Sequence, residues 1–306
     1  MSSIRRTLGR RRLGRAALAV GLSAAVAVPA SPAAAATRFV STVRQGPVTL
    51  TVTGTSKKEQ GFTRYRNITS TLRAGSGKVV RTTFTGSAQE SLNLKPKPRL
   101  ADVSGDGRPD ALVDTFSGGA HCCTVATIFV STGKTTFAKP FRAAWDGGYR
   151  LRDLGTGDGV DEIVAVDQRF DYLFAAHAMS ARPITIEHAT AKGKLVDVST
   201  QFPDRLRVDA DEWIAAFRDL KAEPGETEDD VEGRGFAARS ILAAALADLL
   251  RIGALDEAKA LAAESVARGD FAHIPPKDEG IFDTDVAHQL QKLGFVDDWT
   301  VLGLPQ

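Results

Sequence analysis

The stretch Ala101–Thr124, ADVSGDGRPDALVDTFSGGAHCCT, restricts the fold of this chain more than any other. It sets an acidic loop, a short apolar run and the chain's two cysteines in immediate succession. Asp102, Ser104, Asp106 and Asp110 stand at positions 1, 3, 5 and 9 of D-x-S-G-D-G-x-x-D, and Gly107 sits where the backbone turns so that their oxygens can converge. Hard oxygen donors at alternate positions are what calcium selects, with a backbone carbonyl, here that of Arg108, completing the cage. An EF-hand needs a glutamate at position 12, which is Val113, so a helix-flanked loop is excluded. Ala111–Phe116 reads instead as a strand bounded by glycine-rich turns. The other reading of the acidic residues is an ordinary Asp/Gly turn.

A nine-residue acidic loop running straight into a strand resembles the FG-GAP or VCBS repeat of integrin-type β-propellers and many secreted bacterial proteins. The resemblance implies calcium-stabilised β repeats in an extracellular protein. A second copy, RDLGTGDGVDEIV, spans Arg152–Val164. Aligning the two on Gly-Asp-Gly puts Asp158 at position 5 and Glu162 at position 9, with Thr156 at position 3 and Leu154 at position 1. Asp153 is then displaced by one residue, as if Gly155 were inserted, so the second calcium loop departs from the pattern.

Between Thr37 and Thr200, short runs of β-branched and aromatic residues alternate with Gly/Ser/Lys turns: Val48–Val52, Ile68–Leu72, Val79–Phe84, Val125–Val130, Phe137–Phe141, Tyr149–Leu151, Ile163–Val166, Tyr172–Phe174, Pro183–His188 and Lys194–Val198. The acidic loops divide this region into three units of about fifty residues, the first without a loop. Three units imply a stacked or incomplete propeller-like arrangement, since repeats bury their faces on neighbours and seven blades would need more chain. After Gln201 the period changes to that of helices: Ala210–Leu220, Ala237–Ile252, Leu255–Arg268 and Thr284–Leu293. The acidic run Glu223–Gly235 reads as a linker or loop, and Pro275-Pro276 as a break. The pair around Gly253 resembles one helical hairpin of the tetratricopeptide type, which alone cannot form a solenoid. The expected class is α+β: residues 37–200 a propeller-like or stacked antiparallel β-repeat module, residues 201–306 an acidic helical domain.

Residues 1–36 read as a signal peptide. Six arginines and no acid precede the apolar run Ala16–Val28, too short to span a membrane, and Ala33–Ala36 supplies an A-x-A cleavage site. General secretory and twin-arginine export both fit the arginine-rich start. The mature protein is expected to be secreted, without a membrane span.

The net charge of +2 conceals opposite halves: residues 37–200 carry 22 bases against 15 acids, and residues 201–306 carry 11 against 22. A basic module outside the cell would meet an anionic cell-surface polymer, or dock on its own acidic half. Few aromatics (Phe62, Tyr65, Phe84) interleave the bases of residues 37–100, which argues against nucleic acid.

Cys122 and Cys123 are the only cysteines. In an oxidising compartment the intrachain option is a vicinal disulfide. Neighbouring Cα atoms lie about 3.8 Å apart across a trans peptide, short of the usual ~4.4–6.8 Å span, so the bridge must distort its peptide. The surrounding SGGAHCCT is similar to a segment of uncharacterised secreted bacterial proteins. Gly118, Gly119 and His121 form a candidate ligand turn. Three readings remain for the thiols: a structural disulfide, a redox pair or Cys–His nucleophile, and a metal site with His121. His177 and His188 fall in expected strands, His273 in a loop and His288 on a helix, each a packed or surface residue rather than a base. H-E-x-x-H, G-x-S-x-G and phosphate-cradling glycine loops are absent from the sequence. The resulting expectation is a calcium-stabilised extracellular binding protein. The competing class is an enzyme, either thiol-redox or a metal-dependent hydrolase on Asp102, Asp106, Asp110 and Asp114.

Overall fold

The structure is a computed structural model describing residues 35–305 apart from 78, 120–121, 156, 221–226, 272–281 and 284. Its first part is a five-stranded antiparallel sheet of β1 (Thr37–Gln45), β2 (Val48–Glu59), β3 (Phe62–Ala74), β4 (Val80–Thr83) and the short β5 (Ser91–Leu92) on β3. Val48, Leu50 and Val52 of β2 are buried while the threonines between them are half-buried, the two-residue period of a sheet with one covered face.

The second sheet is built from β6 (Lys97–Ala101), β7 (Asp110–Phe116) and β8 (Thr124–Phe129). A small hairpin, β9 (Ser131–Gly133) with β10 (Thr136–Phe137), leads on to β11 (Phe141–Trp145) at the sheet's edge. The third sheet repeats the meander with β12 (Arg150–Arg152), β13 (Glu162–Val166), β14 (Ile184–Thr190) and β15 (Lys194–Asp197). In both meanders an acidic loop joins the first strand to the second.

The three sheets stack face to face. Ala111 and Val113 of β7 join the core of Leu50, Ile68 and Leu72 from the first sheet, whereas Leu112 between them packs with Ile163 of the third. A strand covered on both faces needs apolar residues at successive positions, which is why Ala111–Val113 shows no alternation. β13 repeats the logic: Ile163 and Ala165 meet the second sheet, and Val164 lies with Leu206 and Ile252 of the helices.

The helices are α1 (Pro203–Asp219), α2 (Glu228–Arg251), α3 (Leu255–Arg268) and α4 (Val286–Lys292), so the class is α+β, with antiparallel sheets first and helices after. α1 starts seven residues before the expected Ala210, because Pro203 with its preset φ opens the helix and Asp204 lies in its first turn. The expected loop at residues 223–235 is helical from Glu228 onward. Thr227 Oγ1 accepts from the Asp230 N–H (3.2 Å) while the Asp230 carboxylate accepts from the Thr227 N–H (3.0 Å). That capping box outweighs the acidic, glycine-containing composition that suggested a loop. Tyr172–Phe174 is a turn rather than a strand, and His177 sits in a 3-10 turn, both within the long connection from β13 to β14. His273 and Pro275-Pro276 lie outside the described residues.

Among the described residues the core beneath the basic first sheet contains no residue of α1 to α4, and no ion pair joins residues 37–100 to residues 201–306. The helices dock on the third sheet, where Leu206 and Ile252 seat on Ile184 and Ile186 of β14 and Arg251 pairs with Asp197 at 3.4 Å. Among the described residues no helix is long and apolar enough to cross a membrane.

Candidate functional site

The loop after β6 is organised by the carboxylate of Asp102. Its Oδ1 accepts from the backbone N–H groups of Ser104 (3.3 Å), Gly105 (2.8 Å) and Asp106 (3.2 Å), and Oδ2 from that of Gly107 (2.6 Å). Gly105 and Gly107 take φ of +74° and +77°, which residues with a Cβ rarely adopt. Asp110, fully buried, accepts from the Val103 N–H at 3.0 Å and the Ser131 N–H at 2.6 Å, and so ties the loop to β9. Burial pushes its carboxyl up to about 6; hydrogen bonds from Ser131, Ser104 and Val103 hold it back, and neighbouring Asp102 adds to the rise. Ser104 Oγ lies 3.4 Å from Asp102 Oδ1. The Asp106 carboxylate accepts from the Arg108 N–H at 2.9 Å and pairs with the Arg108 guanidinium, whose Nε reaches Ser131 Oγ at 3.0 Å. Three crowded carboxylates and a hydroxyl on one nine-residue turn are a donor set suited to calcium.

The loop after β12 reproduces these contacts around Asp153. Its Oδ1 accepts from the N–H groups of Gly155 and Gly157, both at 3.2 Å. Asp158 accepts from the Val160 N–H at 2.9 Å, as Asp106 does from Arg108, and buried Glu162 accepts from the Leu154 N–H at 2.9 Å, as Asp110 does from Val103. Gly159, at φ +80°, matches Gly107. Asp153 therefore stands where Asp102 does in the first loop, and the position assigned to Leu154 by the ungapped alignment is corrected by one residue. The extra residue is absorbed between Asp153 and Asp158.

The two loops touch. Asp161 N–H donates to the Asp102 carbonyl at 2.7 Å, and Ala189 N–H to the Val103 carbonyl at 2.7 Å. His188 Nε2 lies 3.3 Å from Glu162 Oε1. Asp161 is pushed up by burial and by Asp153, Glu162 and Asp102 around it. The sequence marks Asp153 only as displaced by one residue, as if Gly155 were inserted, and only folding brings in Asp161 and His188.

Asp114 does not belong to this acidic group. Arg99 Nε donates to its Oδ2 at 2.8 Å and the Tyr149 hydroxyl to its Oδ1 at 2.6 Å, with the Arg99 guanidinium 4.8 Å from the Tyr149 ring centre. Burial and the Asp114 charge push the Tyr149 hydroxyl well up, so it stays a donor. A hydrolytic centre using Asp114 is thereby lost: its charge is already balanced inside the stack.

The chain is 36% identical over 162 residues to a probable thylakoid lumen protein of Synechocystis sp., an alignment covering 52% of this chain and 44% of that protein. It is 30% identical over 160 residues to an uncharacterised protein of Sinorhizobium fredii, covering 52% of this chain and 23% of that protein. The chain thus spans less than half the length of these curated relatives. No family model matches it. No solved structure matches it.

Cys122 and Cys123 are joined as a vicinal disulfide across a cis peptide. The knuckle is closed by Ser117, whose N–H donates to the Cys123 carbonyl (3.0 Å) and whose Oγ accepts from the Cys123 N–H (2.7 Å). Gly118, at φ +86°, lies so close to Leu92 that an added Cβ would fall 1.9 Å from Leu92 Cδ1, and a Cβ at Gly119 would fall 2.7 Å from the Cys122 carbonyl oxygen. Close packing at both positions, and the positive φ of Gly118, each require glycine there. His121 lies outside the described residues.

A further polar cluster forms where the connection after β13 returns past β11. His177 Nδ1 lies 2.9 Å from Asp171 Oδ1, and His177 Nε2 lies 3.4 Å from Asp146 Oδ2. The ligand atoms of these three residues fall within 4.8 Å of one another, a spacing compatible with a metal ion. Arg182 Nη1 already stands 2.8 Å from Asp146 Oδ2 and supplies positive charge there.

Proposed function

We propose that this chain is an exported binding protein whose β part is ordered by calcium at two adjacent acidic loops. One observation carries the reading: two loops of different length and sequence converge on the same carboxylate-to-backbone contacts, around Asp102 and around Asp153. Asp102, Ser104, Asp106, Asp110 and the Arg108 carbonyl would hold the first ion; Asp153, Asp158 and Glu162 would hold the second. Calcium supplies charge that lets these carboxylates stay together, and the chain's own part is to hold them converged. Export is supported by the basic, apolar and A-x-A order of residues 1–36, and by the lumenal designation of the Synechocystis relative. An anionic cell-surface polymer suits the basic first sheet, whose core draws on no residue of α1 to α4 among the described residues.

The test is thermal unfolding of residues 37–306 with calcium and with chelator, for the wild type, Asp106→Ala, Asp158→Ala and the double variant. Calcium should raise Tm in the wild type, less in each single variant and not at all in the double. An unchanged wild-type Tm would remove the calcium reading.

The exposure of Cys122, beside buried Cys123, favours a second reading, thiol redox. Cys122→Ser/Cys123→Ser separates the two: a redox protein loses disulfide reductase or oxidase activity, and a scaffold loses none.

A further inference from the structure

The seam between the third sheet and α1 forms an open pocket of about 350 Å³, within the size range of small-molecule sites. Three arginines from three different elements line it: Arg150 of β12, Arg182 before β14 and Arg205 of α1. Two carboxylates, Asp146 and Asp209, and the indole of Trp213 complete its polar and aromatic wall. Val164 and Ile184 supply apolar surface.

The charges in this wall are unevenly satisfied. Arg182 pairs with Asp146 through Nη1 at 2.8 Å, and Asp146 also lies 3.4 Å from His177, itself held by Asp171. Asp209 is likewise committed: it accepts from the Ile184 N–H at 2.9 Å and from Trp213 Nε1 at 3.1 Å. Arg205 reaches Asp209 only at 3.9 Å, and Arg150 makes no ion pair with any described residue. Two guanidiniums therefore line the cavity with donors to spare, while both carboxylates are held by the protein itself. With its N–H tied to Asp209, the indole of Trp213 has no donor left and contributes aromatic surface to the pocket lining. The 146–148 turn that forms another wall is locked by Gln168, whose Oε1 accepts from the Asp146 N–H at 3.1 Å and whose Nε2 donates to the Ala144 carbonyl at 2.9 Å. An open pocket with two spare planar cations and an indole in its lining suits a planar anionic group carried on a ring.

We propose that this cavity binds a small carboxylate-bearing ring compound, its carboxylate held by Arg150 and Arg205 and its ring lying on Trp213. The site is separate from the acidic loops, which sit at the other end of the β12–β13 hairpin: Arg152 pairs with Glu162 beside the loop, and Arg150 with Val164 toward the cavity.

The proposal is tested by titration calorimetry on residues 37–306, once with calcium and once with chelator, so that failure of the calcium reading does not mask the result. D-glucuronate and 4-hydroxybenzoate serve as the saccharide and aromatic forms of the ligand, and glucose and inorganic phosphate as the uncharged ring and the ringless anion. At least one of the two carboxylates should bind at millimolar concentration or below, glucose and phosphate more weakly. Arg150→Gln and Arg205→Gln should each weaken binding about tenfold or more, as expected on losing a charge-assisted hydrogen bond. Arg207→Gln, on the same helix but paired outward with Glu257 at 2.9 Å, should leave binding unchanged. Absence of binding by both carboxylates overturns the proposal. So does equal binding of phosphate, or affinity unaltered in both Arg150→Gln and Arg205→Gln when their melting curves match the wild type.

Discussion

Asp248 sits in an environment far from water. It is fully buried on α2, with Asp209 beside it and the Arg251 guanidinium 3.5 Å away. Burial, reinforced by Asp209 beside it, pushes its carboxyl up to about 9. The group thus keeps its proton when folded and loses it near pH ~4 when unfolded. Its contribution is fully present at low pH, and stability falls as pH rises from that value toward the folded one. Asp248→Asn, which keeps the shape and removes the titration, should raise Tm at pH 8 more than at pH 5. Melting curves at both pH values check this, and an equal change at both would show that Asp248 does not titrate on unfolding. Tyr149→Phe tests the neighbouring logic: Asp114 loses a buried donor, and urea unfolding should show a cost of about 1–3 kcal/mol.

At the scale of elements, close packing and caps set the boundaries. Gly118 combines φ +86° with direct contact on Leu92, so Gly118→Ala is strained twice, in backbone and in space. Pairing it with Leu92→Ala relieves only the collision. The double variant should therefore recover part of the Tm lost by Gly118→Ala, and no recovery would place the whole cost in the backbone. Thr227→Ala removes the cap of α2 and should cost about 1 kcal/mol in denaturant unfolding.

For the whole molecule, the order of layers matters more than any single contact. Each interior sheet buries both faces, and the helices close the last one through Leu206 and Ile252. Removing residues 201–306 should leave Ile184, Ile186 and Val164 open to water and make the remaining chain aggregate, read by light scattering. The disulfide has the opposite standing. It links adjacent residues and closes no chain loop, so reduction should hardly move Tm.

The loop Asp102–Asp110, the strands around Val48–Val52 and Ile163–Val166, and the helix Leu255–Arg268 were all legible in the sequence, because each depends on spacing within one turn or strand. Asp153 was legible only as a residue out of place by one, since one inserted residue breaks the spacing while the backbone still folds it to the same contacts. The first turns of α2 were missed because a capping box, two hydrogen bonds, outweighed an unfavourable composition. Alternation and spacing by themselves determined the order of sheets before helices and the acidic loop, for these are short-range properties of side-chain period and oxygen placement. Tertiary structure alone decided that Asp114 belongs to Arg99 and Tyr149, that the two acidic loops meet at Asp102 and Asp161, and that Arg150, Arg205 and Trp213 share a cavity. Those pairings join residues up to sixty-three positions apart, and only the stacking of buried faces selects them.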